Sequence, residues 1–339
     1  MISYINILRK NITIELLIII KLYNNAYFNL DCRWLLKWTE KLNSSSNAHT
    51  AAFIYNAAMN DFLTTSTADL RAHPIDIRTV ALAGRLQADT SVEPLLQIIQ
   101  TVLGLGKAVI IEEKTAQHFD LRQFSSVALR DIGNCADVMI AVGGDGTMLG
   151  VARRVAPYHI PLIGINQGHL GFITDISLND APSALREILH DHAYDAEERD
   201  LLHAEILRNG EVIHSGTALN DVVVGRSGMD GMLELNVNVD QQFMYAQRAD
   251  SLIIATPTGS TAYSLAANGP ILHPKLAGIT LAPVAPQSLS NRPIVLPNDS
   301  IIDIEIVSSK NAVVHLDVHS YAQAQRGDIV RIQQAPYKS

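Results

Sequence analysis

The hydrophobic pattern of this chain changes character near residue 200, and that change limits the fold more than any single motif. Before it, short apolar runs alternate with stretches of helical spacing. Thr79–Ala83 is an apolar run closed by Gly84. Val92–Leu103 then places Val92, Leu95, Leu96, Ile99, Val102 and Leu103 at helical intervals. Further runs follow at Ala108–Ile111, Asp137–Val142 and Pro161–Ile165, with helical spacing again over Met148–Val155. Strands alternating with helices predict a parallel sheet with helices on its faces. Beyond residue 200 the runs are short, close-spaced and rich in Val and Ile: Leu201–Leu207, Val212–Thr217, Asp221–Val224, Leu233–Val239, Leu252–Ala255, Ile279–Leu281, Ile301–Val307, Val313–Leu316 and Ile329–Ile332. Such strands predict an antiparallel sandwich or barrel. The expected organisation is an α/β domain over 76–178, a β-rich, sandwich-like domain over 179–339, and a poorly ordered extension over 1–75.

Charge separates the extension from the rest. Residues 1–58 carry a net +3, whereas the remaining 281 carry a net −11 out of the chain's −8. A body this acidic, with a pI near 5.8, is not a general nucleic-acid binder, which needs clustered Lys and Arg against phosphate. Cys32 and Cys135 can build neither a disulfide framework nor a thiolate zinc site. Ile12–Ile20, bounded by Lys10 and Lys21 and containing Glu15, is too short to span a bilayer. It has the charge order of a signal peptide, but no small-x-small cleavage site follows. The segment reads instead as a weakly structured extension, or as an upstream start with Met59 as the working beginning. The expected location is the cytoplasm, without membrane or nucleic-acid partners.

The sharpest local feature is Gly143-Gly144-Asp145-Gly146-Thr147, directly after a strand and opening a helix. Glycines let backbone amides approach a ligand, and a helix N-terminus adds partial positive charge, so together they seat a phosphate. Thr147 is placed to cap the helix. Asp145 would repel phosphate; it either caps or does chemistry on a hydroxyl or a metal. Neither G-x-x-x-x-G-K-[ST] nor G-x-G-x-x-G is present, since Leu149 stands where the third glycine of the latter belongs. Thr256-Pro-Thr-Gly-Ser-Thr-Ala-Tyr-Ser264 offers five hydroxyl residues in a turn suited to ribose, amide or phosphate, with Tyr263 as an aromatic face. Asn220-Asp221 suits a diol or an adenine edge, although a plain turn is the commoner use. Gly164-Ile-Asn-Gln-Gly-His-Leu-Gly-Phe172 ends a strand, where ligands of α/β sheets sit. His190-Asp-His192 lacks a third metal ligand, and Arg153-Arg154 reads as a solvated helix face.

These four segments, in this order, resemble the NAD kinase family over about Arg78–Gln334. The first is shared with diacylglycerol-type lipid kinases and loosely with phosphofructokinases; the T-P-T-G-S-T-A-Y-S segment is not. The resemblance implies an α/β domain plus a β-sandwich domain with a homo-oligomeric site, and transfer of the γ-phosphoryl group of ATP to the 2′-hydroxyl of the adenosine ribose of NAD, with Mg²⁺ or another divalent cation accompanying ATP. It implies Asp145 as proton acceptor for that hydroxyl, with Asp145 and Gly146 contacting NAD. Asn220, Asp221, Arg248 and Asp250 would line the NAD site. Thr261, Ala262, Tyr263, Ser264, Leu265 and Ala266 would wrap the substrate, and Phe172 would pack near the adenine. Gly143, Gly144 and Thr147 would serve the ATP phosphates. Four departures accompany the resemblance. Ser251 stands for a usual Gly, Gln287 for a frequent His, and Asp317-Val318-His319 for Asp-Gly/Ser-Gln. The chain also ends at Ser339, short of a tail that in relatives returns to the first domain, so a different domain closure is expected. A lipid or sugar kinase, or an NAD-binding protein without catalysis, remains the alternative.

Overall fold

The computed structural model describes residues 76–168, 171–228, 231–288, 291–308, 312–317 and 319–339. The expected extension, 1–75, lies outside them. Residues from Pro74 to Ser339 form one compact unit.

The first layer is a parallel sheet of β1 (Thr79–Gly84), β2 (Ala108–Glu112), β3 (Ser126–Val127), β4 (Val138–Gly143), β5 (Leu162–Asn166) and β6 (Ile176–Ser177), in the order β3-β2-β1-β4-β5-β6. The order reverses between β1 and β4, which opens a crevice at the carboxyl ends of those two strands. Strand alternation sorts the core onto two faces. Val80, Leu82, Ile140 and Val142 face helix α1 (Glu93–Gly104). Ala81, Ala83, Met139 and Ala141 face the opposite way. After α2 (Glu113–His118), that second face receives Met148, Val151 and Val155 of α3 (Asp145–Val155). Three alanines on this face allow the close approach of α3. Helix α4 (Ala181–Leu189) follows β6 and returns to the first face, burying Ala181, Leu185 and Leu189 with the α1 side chains.

The remaining strands form two antiparallel six-stranded sheets. One contains β7 (Asp200–Arg208), β8 (Glu211–Ala218), β10 (Leu233–Val239), β11 (Gln242–Ala249), β15 (Ile302–Ser308) and β18 (Ile329–Lys338), in the order β11-β10-β15-β18-β7-β8. The other contains β9 (Asp221–Arg226), β12 (Ser251–Ala255), β13 (Gly278–Val284), β14 (Ile294–Pro297), β16 (Ala312–Leu316) and β17 (His319–Ala324), in the order β14-β13-β12-β9-β16-β17. Their facing side chains, among them Leu235, Ile304 and Ile332 from one sheet and Val224, Ile254 and Val314 from the other, share one core. This is the sandwich the short Val- and Ile-rich runs predict.

A third apolar cluster joins the layers. Leu149, Ala152 and Ala156, on and just beyond α3, pack with Leu201, Leu219 and Ala335, and Tyr337 adds its half-buried ring. The last strand therefore reaches the first layer itself. Backbone hydrogen bonds run in both directions between Arg199 and Ser339.

Candidate functional site

Strand β4 is buried along its length and delivers Gly143 to the carboxyl edge beside the β1/β4 crevice. Gly144 is the N-cap of α3 in an extended conformation, and no side chain caps the helix. Thr147 therefore does not have the capping role open to it in the sequence. Asp145 does not cap α3 either. Its carboxylate turns to the segment after β5 and accepts from the amides of Phe172 (2.9 Å) and Thr174 (3.1 Å), from the Thr174 hydroxyl (2.8 Å) and, at 3.4 Å, from the amide of Ile173. Asn166 Nδ2 donates to the same Thr174 oxygen at 2.8 Å. The approach requires a glycine at 171: a Cβ there would stand 2.0 Å from Asp145 Oδ1. Gly146 lies exposed in the first turn of α3, and the Phe172 side chain projects into solvent, 74% exposed.

Asn220 and Asp221 begin β9 against the Thr256 turn. Asn220 O accepts from the Thr256 amide at 2.9 Å, and Gly259 packs so closely that a Cβ would stand 2.0 Å from that oxygen. Both side chains are buried, and Asn220 Oδ1 has no hydrogen-bond partner. Asp317 supports the corner from beneath. Its carboxylate accepts from the amides of Leu219, Asn220 and Asp221, at 3.4, 2.8 and 3.3 Å. Burial, then the charge of Asp317, pushes the Asp221 carboxyl up to about 7. Asp317 is itself raised by burial, against the opposing pull of those amides and of Arg153.

Most hydroxyls of the Thr256 turn are engaged inward. Thr256 Oγ1 donates to Leu219 O at 2.6 Å, Ser260 Oγ to Pro257 O at 2.6 Å, and Thr261 Oγ1 to Thr258 O at 3.3 Å. They hold the 3₁₀ turn Thr258–Thr261 and the short helix α5 (Tyr263–Ala266) in place. The expectation of exposed, ligand-facing hydroxyls is corrected for these three. Ser264 is fully buried, and its hydroxyl has no partner. Ala262 is half-buried, while Tyr263, Leu265 and Ala266 are exposed.

A cleft of about 540 Å³ opens beside this turn, and Tyr263, Asp250, Ser251, Arg226, His315 and Asp317 contribute to its wall. Arg226 pairs with Asp250 at 2.7 Å. Arg248 is not among the cleft residues; it sits near the end of β11, 59% exposed, paired with Glu234. Arg226 went unremarked in the sequence because it ends a strand without a motif. Ser251 replaces the usual Gly without strain because its cross-strand neighbour is Gly225. Gln287 is exposed. Val318 and the side chain of His319 lie outside the described residues.

Arg153 corrects a second expectation. Its side chain is 15% exposed rather than solvated: Nε lies 3.3 Å from Asp317 Oδ2, and Nη1 donates to Leu316 O at 3.2 Å. Arg154 beside it is exposed. The missed signal was its spacing from Leu149 and Ala152, which places Arg153 at the margin of the buried α3 face. His190 pairs with Asp191 at 2.7 Å. Among the described residues no three His, Cys, Asp or Glu side chains converge on a metal position, and no helix is long and apolar enough to cross a membrane.

Comparison with known proteins agrees with this layout. The model of the ATP-NAD kinase N-terminal domain matches residues 80–194, and that of the ATP-NAD kinase C-terminal domain matches 219–339. The NAD kinase of Burkholderia pseudomallei is 49% identical over 259 residues, 76% of this chain and 86% of that protein. The NAD kinase of Paraburkholderia phytofirmans is 48% identical over 258 residues, with the same coverage. Among solved structures, yeast NADH kinase complexed with NADH superposes with a TM-score of 0.71 at 25% identity, over 78% of this chain and 81% of that one. An NAD kinase from Archaeoglobus fulgidus in complex with ATP shares the fold, with a TM-score of 0.60 at 22% identity over 77% and 92%.

Proposed function

The chain belongs to the NAD kinase family, phosphotransferases that carry the γ-phosphoryl group of ATP to the 2′-hydroxyl of the adenosine ribose of NAD and give NADP and ADP, and we propose how its residues divide that work. Phosphoryl transfer asks chiefly for positioning and charge stabilisation. Gly143, Gly144 and Thr147, at the positive end of α3, take the ATP phosphates. Asp145 takes the proton of the ribose hydroxyl, and Gly146 lies against the same ribose. Asn220, with its unpartnered buried oxygen, and Asp221 bind the dinucleotide. Tyr263 and Asp250 line the cleft beside it. Thr261, Ala262, Ser264, Leu265 and Ala266 shape the substrate's path, and Phe172 offers its exposed ring to the adenine. The observation that carries this reading is the convergence of three motifs on one scaffold: α3 begins with Asp145 and, through Arg153 and Asp317, holds the Asn220-Asp221 corner, against which the Thr256 turn packs.

The divalent cation enters with ATP as Mg²⁺-ATP and offsets charge on the phosphates. Arg248 lies on an outer strand that also carries the exposed Phe243 and Met244. We assign Arg248 to the NAD site of a neighbouring copy in a homo-oligomer. A cytoplasmic location fits a reaction whose substrates are ATP and NAD.

The test is a coupled assay. The purified chain, with ATP, Mg²⁺ and NAD, is expected to form NADP, read with an NADP-specific dehydrogenase; a chain starting at Met59 is expected to match it. Phosphorylation of a lipid headgroup or a sugar without NADP would overturn the assignment. NAD binding by calorimetry without turnover would mark a non-catalytic protein.

A further inference from the structure

Asp145 and Arg153 lie on one helix, about 12 Å apart along its axis at 1.5 Å per residue. Arg153 reaches across to the β layer, where its guanidinium meets both Leu316 O and the Asp317 carboxylate. The Asp317 side chain is 0% exposed. Although Asp317 borders the cleft, what its carboxylate holds is the backbone of 219–221. That backbone in turn aims Asn220 Oδ1, which is buried without a partner.

Cohesion between the layers does not need this ion pair. Leu149, Ala152, Leu219 and Ala335 already pack there. Removing two charges from water offsets most of what their attraction returns, so apolar residues would hold the layers as well. The pair adds direction: the guanidinium donates to Leu316 O and stands 3.3 Å from Asp317 Oδ2, an ion pair in which Nε makes no hydrogen bond, and the two contacts together fix an orientation that packing alone leaves loose.

We propose that Arg153 and Asp317 are positioning residues that register the dinucleotide-binding corner, Asn220-Asp221, against the helix that presents Asp145. This rests on the NAD kinase reading above. Each acts through the backbone of the corner.

The experiment compares wild type, Arg153→Met, Arg153→Lys, Asp317→Asn and the Arg153→Met/Asp317→Asn double variant. Readouts are kcat, KM for NAD and KM for ATP, calorimetric NAD binding, and thermal melts. Arg153→Met is expected to raise KM for NAD and lower kcat, with kcat/KM down about 100-fold, the scale of a small misplacement at a reacting centre. KM for ATP is expected to hold, because the glycine loop is untouched. Arg153→Lys recovers part of the loss, since an ammonium keeps the charge without the fork. The double variant loses no more than the worse single one, as coupled partners do. A merely structural pair would lower the melting temperature and leave KM for NAD unchanged. That result, or single losses that multiply, overturns the proposal. Wild-type turnover tests the family reading separately, and NAD calorimetry reads positioning even where turnover is absent. Absence of both turnover and NAD binding in wild type would overturn both.

Discussion

Asp145 and Asp221 stand at matching places, each next to a strand end beside a motif that anticipates chemistry. Their surroundings differ. Asp145 is ringed by donors, three amides and a hydroxyl from residues 172–174. Asp221 is buried beside a second carboxylate, and its proton is retained up to about 7. The parallel layer therefore offers a carboxylate whose position is fixed by hydrogen bonds from its own chain. The antiparallel layer offers a carboxyl that a ligand must help to ionise or hydrogen-bond. One residue type meets two environments because the two folds solvate it differently.

The contrast can be broken by experiment. Asp145→Asn should lower kcat by about 10²–10⁴-fold, the usual worth of a positioned base, with unchanged circular dichroism. Retained activity would remove Asp145 as the base. Gly259→Ala, whose Cβ would meet Asn220 O at 2.0 Å, should cost about 1–3 kcal/mol of stability in denaturant melts, the scale of overpacking, and weaken NAD binding. Gly144→Ala, where a Cβ meets nothing within 4 Å, should not destabilise comparably.

Asp221→Asn sharpens the comparison through pH. The folded carboxyl is raised to about 7 from an ordinary 3.8. The folded state therefore binds its proton more tightly, and stability is lost as pH rises through that window. The variant should melt with wild type near pH 4 and above it at pH 8, while KM for NAD rises. Asp317, also raised by burial, contributes with the same sign. An unchanged melting difference across that range would remove the Asp221 burial effect. The smallest effect is expected at Arg248→Ala, where an exposed pair with Glu234 is worth less than about 1 kcal/mol in a melt.

Both layers were legible in the sequence because their central strands are buried. β4 and β12 are buried along their whole lengths, and their apolar runs announce them. Of the edge strands only β8, read as Val212–Thr217, was legible. β11, β14 and β17 each flank only one neighbour, and β3 and β6 have two residues each. A strand with one ladder and a solvated face needs no apolar run. In the site, the glycine loop, Asn220-Asp221 and the Thr256 turn stood out because tight turns demand particular residues. The inward use of the hydroxyls did not, because a hydroxyl donates equally well to a ligand or to its own turn. Arg153 was missed because exposed arginine is the rule; only the fold reveals Asp317 opposite it.

The donors around Asp145 have a consequence for how a substrate arrives. A carboxylate offers about four acceptor positions, and residues 172–174 direct four donors at them. Oδ1 accepts three of them and Oδ2 one, so a ribose hydroxyl would meet the carboxylate at Oδ2, in place of water. The net gain is small, as for any trade of one hydrogen bond for another, so affinity has to come from elsewhere on the dinucleotide. Oδ1 stays engaged with its own chain, and a water molecule at Oδ2, with no adenine to set against Phe172, has little with which to bargain.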